Sequence, residues 1–478
     1  MGFCWSWKCG GGPHGAGHCE PHCAGWVGPT LLLCVYGFCS MMRPVEPFLT
    51  EFLIGTYKNF TTGQVTREVY PVWTYSNLFF LVPVFLVTDL LRYKPVIVLQ
   101  GLSCVLSFLL ILVGSGLFSA QWAFFVYGFA TAADVAYFSY IYSVVQPCHY
   151  QRVTSYARGA ALAGNAVGGL LGQLLLSYGE VSLYCLAGVT LASVCVALLT
   201  SSFLPTPATS LLTRETRNAR QGGSGEDAPS ESGRRGFAGW VQKSKTRARR
   251  VGGAMRRLAS DCRECYASTA VLFFCIWAAT GSCGFYQVVG YVQILWVYTQ
   301  PQHNFTAYNG GVEAISTLSG AAASIAVGHV SLDWSKWGEL TLGVFTVLIA
   351  GALFLMDLTN HIWMSYACYI TFKALYMQLI TICTFQIAKM LSRERYALVF
   401  GMNSFVGTVL RSTLTGVVIN TESLQLTITS QFLVYASYFA AIALLLTVRG
   451  LYTVLRAKKP RADEGAERAN NLPEVSHL

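Results

Sequence analysis

Six ionisable side chains lie within or at the ends of long apolar stretches of this sequence. A charge in an apolar environment costs free energy, so each of these residues is a candidate for ligand binding. Asp134 is one such candidate. Tyr137 follows three residues later and lies on the same face as Asp134 if the stretch is helical. Carboxylates beside aromatic rings suit a cationic, aromatic ligand. The six residues are Glu46, Asp134, Glu313, Arg43, Lys373 and Arg411.

The same six charges also allow a structural interpretation. Three acids and three bases can form three ion pairs between helices, which would leave no charge free for a ligand. For Arg43 and Arg411 the sequence favours neither interpretation. Asp134 and Glu313 have aromatic and polar residues nearby in the sequence, so binding is the better interpretation for these two.

Residues for the common catalytic mechanisms are not found in the apolar stretches. All eight His lie in the leader, in loops or in the tail, so no buried His is available to a membrane protease or acyltransferase. The glycine-rich segment at 222–225 lacks the Lys-Ser/Thr ending of a phosphate-binding loop. The Cys and His residues of the first 28 positions match no zinc-site spacing, so a disordered leader is the better interpretation. We predict no enzyme activity, no metal and no cofactor.

The composition places the candidate residues in membrane-spanning helices. Hydrophobic residues make up 53% of the 478 residues and charged residues 12%, with a mean hydropathy of +0.46. A soluble domain carries about 25% charged residues. The apolar stretches are roughly 20 residues long, which is the length of a spanning helix and about twice that of a barrel strand. The sequence therefore predicts an all-α membrane protein.

Twelve apolar stretches are arranged as six, a long polar segment, and six more. This is the layout of the major facilitator architecture, in which two bundles move around a site at the middle of the membrane. We expect a disordered leader over 1–28, bundles over 29–204 and 267–453, a linker over 205–266 and a tail over 454–478. The stretches lie near 26–46, 71–90, 95–116, 121–146, 155–178, 183–204, 267–298, 309–331, 339–358, 361–388, 396–419 and 429–453.

Loop charges and glycosylation sequons indicate the same orientation. The linker holds 13 basic and six acidic residues, and basic residues such as Arg92 and Lys94 follow the second stretch. Basic loops face the cytoplasm. Sequons at Asn59 and Asn304 fall in loops on the opposite side, as glycosylation requires. We therefore predict that both termini are cytoplasmic. Asp89 and Arg92 resemble the latch residues that hold major facilitator carriers in one conformation.

Six short motifs resemble the solute carrier 19 family, which comprises the vertebrate thiamine transporters and the reduced folate carrier. The resemblance covers residues 30–455 and leaves out the leader, linker and tail. It implies a plasma-membrane carrier that works by alternating access and is driven by a gradient, with proton-coupled exchange suggested. The motifs are RPVEPF at 43–48, PVWTYS at 71–76, DLLRYKP at 89–95, YIYSVV at 140–145, YNG at 308–310 and RYALVFG at 395–401.

In detail the motifs are more similar to the thiamine transporters than to the folate carrier. Asp134 stands where the thiamine transporters carry Glu and the folate carrier carries Arg. The resemblance implies that Asp134 and Tyr137 hydrogen-bond an aminopyrimidine ring and that Trp73 stacks on the substrate. It also implies that Glu313 contacts the hydroxyethyl end and that Glu46 shapes the pocket.

Three positions depart from the thiamine-transporter pattern. Gly290 replaces an Asn, Arg411 replaces a Gln, and Asp134 is one methylene shorter than the usual Glu. We expect import of thiamine, or of a related vitamin such as pyridoxine. A reduced-folate (organic anion) exchanger is the alternative, because Arg411 and Lys373 would attract an anion.

The orientation of these charges distinguishes the two substrates. If Asp134 and Glu313 face the cavity while Arg411 is bridged to a neighbour, the site is acidic and suits thiamine. If Arg411 and Lys373 face the substrate, folate is favoured. Beyond this vitamin substrate and membrane lipid we expect no nucleic-acid partner, and we expect a monomer or weak oligomer.

Overall fold

The computed structural model describes the two predicted bundles and little else. The described residues are 27–90, 93–134, 136–137, 140, 144–145, 150–179, 181–206, 266, 268–299, 308–329, 334–390, 393–419 and 426–458, apart from some side chains within these ranges. Nearly all of the predicted leader and linker and most of the predicted tail lie outside them. The described residues form helices and connecting turns, with no β-strand among them.

Six long helices make up the described N-terminal half. Pro95 lies in the first turn of the third helix, where a missing N–H breaks no hydrogen bond. Ser182 caps the sixth, because its hydroxyl accepts from the backbone N of Cys185 at 3.4 Å. The helices are α1 (Val27–Met41), α2 (Tyr70–Leu90), α3 (Lys94–Val113), α4 (Gly116–Ala132), α5 (Tyr150–Ser177) and α6 (Leu183–Ser202).

Six further long helices make up the described C-terminal half. They are α7 (Thr269–Thr299), α8 (Asn309–His329), α9 (Trp334–Leu358), α10 (Ile362–Met390), α11 (Arg393–Val418) and α12 (Ile428–Lys458). Across both halves, eight of the described helices are long and apolar enough to cross a membrane. The predicted all-α membrane fold is confirmed. For α1, α2, α4 and α11, spanning of the membrane stays a prediction.

The segment between α1 and α2 is more irregular than the predicted first span. The helix ends at Met41 rather than at residue 46, because Pro44 and Pro47 cannot continue a helical hydrogen-bond ladder. The short elements that follow are a 3₁₀ turn (Glu46–Phe48), two short helices (Leu49–Ile54 and Thr62–Gln64) and a π-helical turn (Val65–Val69) that leads into α2.

The fourth predicted span, 121–146, is interrupted beside a candidate site residue. α4 ends at Ala132, and Ala133 has φ −74° and ψ −8°. On the facing helix α3, Gln100 donates its side-chain amide to the Ala130 carbonyl at 3.2 Å. A side chain that enters the backbone ladder is a recognised cause of a helix break. Asp134 therefore lies just beyond the break.

The two halves pack in the same way, which shows an internal structural repeat. In the N-terminal half α1 contacts α5 and α6, α3 contacts α4 and α6, and α2 contacts α4. Adding six to each number gives five pairs of the C-terminal half: α7 with α11 and α12, α9 with α10 and α12, and α8 with α10. In that half α7 also contacts α10. The halves meet through α2 with α11 and through α5 with α8, which are related in the same way. This arrangement is typical of carriers built from two similar bundles.

Close backbone contact between α5 and α8 joins the two halves. A Cβ on Gly169 would lie 2.8 Å from the carbonyl oxygen of Gly310, and a Cβ on Gly310 would lie 2.5 Å from that of Gly169. Neither position has room for a side chain. Gln173 strengthens the contact, because its Oε1 accepts from the backbone N of Gly311 at 3.2 Å. We call the side of the molecule where α5 ends and α8 begins the Asn59 side, since Asn59 lies in the loop that leads to α2.

Candidate binding site

Arg43 and Glu46 form the first charged pair of the interior. Arg43 follows the end of α1, and its Nε donates to the Ser40 carbonyl at 2.6 Å. Its Nη1 lies 3.7 Å from Glu46 Oε2 and also donates to the Tyr127 hydroxyl. The guanidinium lies over the rings of Tyr127 and Phe108, at 5.3 and 5.7 Å. Arg43 is therefore a buried residue with a structural role, while the Glu46 side chain remains 43% exposed.

Asp134 is held by an amide from the neighbouring helix. Gln100 Nε2 donates to Asp134 Oδ1 at 2.5 Å, and the Tyr36 hydroxyl donates to Gln100 Oε1 at 2.9 Å. Within the described part of the chain, Asp134 Oδ2 has no hydrogen-bond partner and Asp134 forms no ion pair. The residue is partly exposed. One carboxylate oxygen is thus fixed and the other is available to a ligand.

Tyr137 lies next to this group, as its spacing from Asp134 predicts, but its hydroxyl is engaged. It donates to the Leu33 carbonyl at 3.2 Å, and its ring packs against that of Tyr36 at 5.4 Å. The side chain is only 4% exposed. In this conformation Tyr137 supports the wall around Asp134.

Trp73 and Arg411 form a stacked pair between α2 and α11. The Arg411 guanidinium lies 4.2 Å from the centre of the Trp73 ring and 5.4 Å from that of Tyr286. Its Nη2 donates to Thr74 Oγ1 at 3.1 Å, and the Trp73 indole donates to Thr131 Oγ1 at 3.0 Å. The stacked pair therefore ties the two halves together.

Two features show that there is unused binding capacity around this pair. Arg411 is 4% exposed, its Nε has no hydrogen-bond partner, and no described carboxylate is paired with it. Gly290 borders Trp73, because a Cβ on Gly290 would lie 4.0 Å from the indole ring. Trp73 contacts both Arg411 and Thr131, and Thr131 lies three residues before Asp134 in the sequence. The two unpaired charges therefore belong to the same region of the interior.

Glu313 and Lys373 form the second charged pair, between α8 and α10. Lys373 Nζ donates to Glu313 Oε1, which also accepts from Asn165 Nδ2 at 3.3 Å. Glu313 Oε2 accepts from the Tyr369 hydroxyl at 3.1 Å. Asn165 lies on α5, and its amide also donates to Thr317 at 3.1 Å. Glu313 is thus part of a polar network that connects the two halves.

The structural interpretation of the six charges holds for four of them. Arg43 is paired with Glu46 and Lys373 with Glu313, whereas Asp134 and Arg411 have no ion-pair partner among the described residues. Neither of the two arrangements expected for the substrates is realised in full. Arg411 is bound to neutral Thr74 rather than bridged to an acid, and Lys373 is directed at Glu313.

Several site residues were missed by the reasoning from sequence. An amide within an otherwise strongly apolar helix was the available signal for Gln100, which is 5% exposed. Asn165 was similarly detectable within the glycine-rich α5. Gln293 carried the same signal in the apolar α7; its amide accepts from the backbone N of Thr50 at 3.2 Å and donates to the Glu46 carbonyl at 3.0 Å. Among the described residues, no cluster of three His, Cys, Asp or Glu is placed to hold a metal ion.

Other predicted residues are described only in part. Asn59 is exposed and has a positive φ of 56°. The Asp89 side chain, Arg92 and Asn304 lie outside the described residues, so the predicted latch and the second sequon stay predictions.

Comparison with known families decides the class of this chain. The family model described as reduced folate carrier matches residues 24–434. The chain belongs to the reduced folate carrier family. Within the curated relatives, human thiamine transporter 1 is 45% identical, covering 90% of this chain and 91% of its own. Human thiamine transporter 2 is 44% identical, covering 95% of each. The human reduced folate transporter is 38% identical, covering 91% of this chain and 74% of its own.

Solved structures show the same fold in distant carriers. A POT family transporter superimposes with a TM-score of 0.62 at 9% identity, covering 89% of this chain and 96% of that chain. The nucleoside transporter NupG superimposes with a TM-score of 0.56 at 12% identity, covering 88% and 98%. At these identities the likeness concerns the fold. The predicted major facilitator architecture is confirmed.

Proposed function

We propose that this member of the family imports thiamine across the plasma membrane by alternating access. The observation that carries the proposal is the Asp134 carboxylate, which has one oxygen fixed by Gln100 and the other free. A carboxylate next to aromatic rings favours a cationic aromatic ligand. The high identity to the two human thiamine transporters supports the same substrate class.

Four further residues supply the remaining binding groups. Trp73 supplies an aromatic ring, and a Cβ on Gly290 would lie no closer than 4.0 Å to it. Glu46 is available as the exposed member of its ion pair. Glu313 acts through its network with Lys373 and Asn165, so it contacts the ligand only if these bonds rearrange. The proposal includes a related vitamin such as pyridoxine as a second substrate.

Proton coupling is part of the proposal. The chain shows no phosphate-binding loop, so a gradient is the energy source consistent with the sequence. The charge distribution predicts that both termini are cytoplasmic. A proton-coupled carrier would transport faster when a pH gradient is imposed across the membrane.

One observation favours a second candidate, exchange of reduced folate. Arg411 is a buried guanidinium with no carboxylate partner among the described residues, and a buried unpaired charge is costly. An anionic group on the substrate would compensate it. Asp134 opposes this candidate, because it would repel the same anion.

Uptake of each labelled vitamin distinguishes the two substrates. Cells that express the chain are given labelled thiamine or labelled reduced folate, with and without an imposed pH gradient, against cells that carry an empty vector. We expect saturable thiamine uptake that Arg411→Gln reduces by less than about threefold, since Asp134 remains in place. Saturable folate uptake without thiamine uptake, abolished by Arg411→Gln, would establish the second candidate instead.

A further inference from the structure

Gln100 is a buried amide in a helix whose other side chains are apolar apart from Lys94, Ser103 and Ser107. It lies on α3, faces α1 and α4, and is 5% exposed. A buried amide costs free energy unless each of its polar atoms is hydrogen-bonded. The contacts of this residue therefore determine what it does in the interior.

Every polar atom of the Gln100 amide has a partner. Nε2 donates to the Ala130 carbonyl at 3.2 Å and to Asp134 Oδ1 at 2.5 Å. Because both of these partners only accept, they fix which end of the amide faces α4. Oε1 accepts from the Tyr36 hydroxyl at 2.9 Å, and Tyr36 is 2% exposed. The chain of bonds runs from α1 through α3 to the acid.

We infer that Gln100 is the positioning residue for Asp134: its amide fixes Oδ1 and so turns Oδ2 toward the ligand. This inference rests on the proposed role of Asp134 in binding. The bond at Oδ1 restricts rotation of the carboxylate, so less freedom is lost when a ligand binds.

The arrangement explains why the acid follows a helix break. Gln100 binds the Ala130 carbonyl and Asp134 with the same nitrogen, so the position of the break and the position of the carboxylate are set together. Tyr36 holds the other end of the amide, and its ring packs on Tyr137 at 5.4 Å. The carboxylate is thereby attached to three helices of the N-terminal half.

A double-mutant cycle tests whether Gln100 acts through Asp134. The full chain is purified into lipid nanodiscs, and equilibrium binding of labelled thiamine is measured for wild type, Gln100→Leu, Asp134→Asn and the double variant. We expect Gln100→Leu to weaken binding about tenfold in the wild-type background, as a lost hydrogen bond to a charge does. In the Asp134→Asn background the loss of binding should fall below about twofold, because the effects of two substitutions in one hydrogen-bond network do not add.

Two further variants serve as control and as safeguard. Gln386 on α10 is also fully buried, and neither of its amide atoms has a hydrogen-bond partner in the described structure. Gln386→Leu should change binding by the same factor in both backgrounds. Tyr36→Phe removes the hydroxyl that donates to Gln100 Oε1 and keeps the aromatic ring. Tyr36→Phe should weaken binding about threefold when Asp134 is present and leave binding unchanged in the Asp134→Asn background. If Gln100→Leu does not fold, Tyr36→Phe tests the inference in its place.

The outcomes separate this inference from the proposed function. An equal loss in both Asp134 backgrounds, or no loss for Gln100→Leu, would show that Gln100 does not act through the acid. The same four proteins are tested with labelled reduced folate. If folate binds and thiamine does not, the proposed function fails, while the coupling of Gln100 to Asp134 is still read from folate binding.

Discussion

At the scale of single residues, the interior charges fall into two groups. Arg43, Glu46, Glu313 and Lys373 are paired with each other, and their hydrogen bonds join neighbouring helices. Asp134 and Arg411 are held by neutral groups, Gln100 and Thr74. Neutral partners fix a charge in place without cancelling it. A dissociable ligand is then able to supply the opposite charge.

The role of Asp134 is tested by its two closest substitutions. Asp134→Asn keeps an oxygen that accepts from Gln100, so the variant should fold and reach the cell surface in normal amount. It removes the negative charge, so thiamine uptake should fall at least about tenfold. Asp134→Glu keeps the charge and should retain most uptake. Uptake of labelled thiamine, normalised to surface biotinylation, measures both effects.

Asp357→Asn is the matched control, since Asp357 lies at the end of α9 and has an oxygen without a hydrogen-bond partner. It should leave uptake within about twofold of wild type. Full transport by Asp134→Asn, or failure of that variant to reach the surface, would contradict a binding role.

At the scale of helices, the contact between α5 and α8 closes the Asn59 side of the interface. The backbones approach at Gly169 and Gly310, and Gln173 adds a hydrogen bond to Gly311. Arg411 and Thr74 make the corresponding bond between α2 and α11. Alternating access requires these helix pairs to separate and meet again, so the fit of their backbones is part of the transport cycle.

A valine at position 169 tests this contact. Its Cβ would lie 2.8 Å from the Gly310 carbonyl and 3.3 Å from the Ala314 backbone N, so α5 and α8 would be forced apart. We expect Gly169→Val to lower thiamine uptake about tenfold or more, from the cost of overpacking. On the same helix, a Cβ on Gly159 would meet no atom within 4 Å. Gly159→Val should therefore leave uptake within about twofold of wild type. Equal uptake by the two variants would show that the close contact between α5 and α8 is not needed for transport.

At the scale of the whole molecule, the six-plus-six repeat determines how the two sequons are related. Among the described residues, six long helices, α2 to α7, lie between Asn59 and Asn304. If each crosses the membrane, an even number of crossings returns the chain to the same side. The repeat supports this, because α8 follows Asn304 just as α2 follows Asn59.

Glycosylation and terminal tags test the orientation. Removal of glycans should increase the mobility of the wild-type chain on a gel. Asn59→Gln and Asn304→Gln should each abolish part of that shift, and the double variant all of it. Terminal tags should be reached by antibody only after the cells are permeabilised. Tags reached in intact cells would reverse the predicted topology.

The amino-acid sequence by itself determined the class, the helix order and the family of this protein. These follow from properties of individual segments: hydropathy over about 20 residues requires a helix in lipid, and the short motifs identify the family. That Tyr137 lies near Asp134 was also predictable from their local spacing.

Only the tertiary structure decided which charges are paired and which are free. Thr74 and Arg411 lie 337 positions apart, and Asn165 and Glu313 lie 148 apart. Such contacts depend on which faces of distant helices meet, and the period of one helix carries no information about its neighbour. The break at Ala133 is of the same kind, because a side chain of α3 binds the backbone of α4 there. A local pattern predicts a continuous helix, and the neighbouring helix interrupts it.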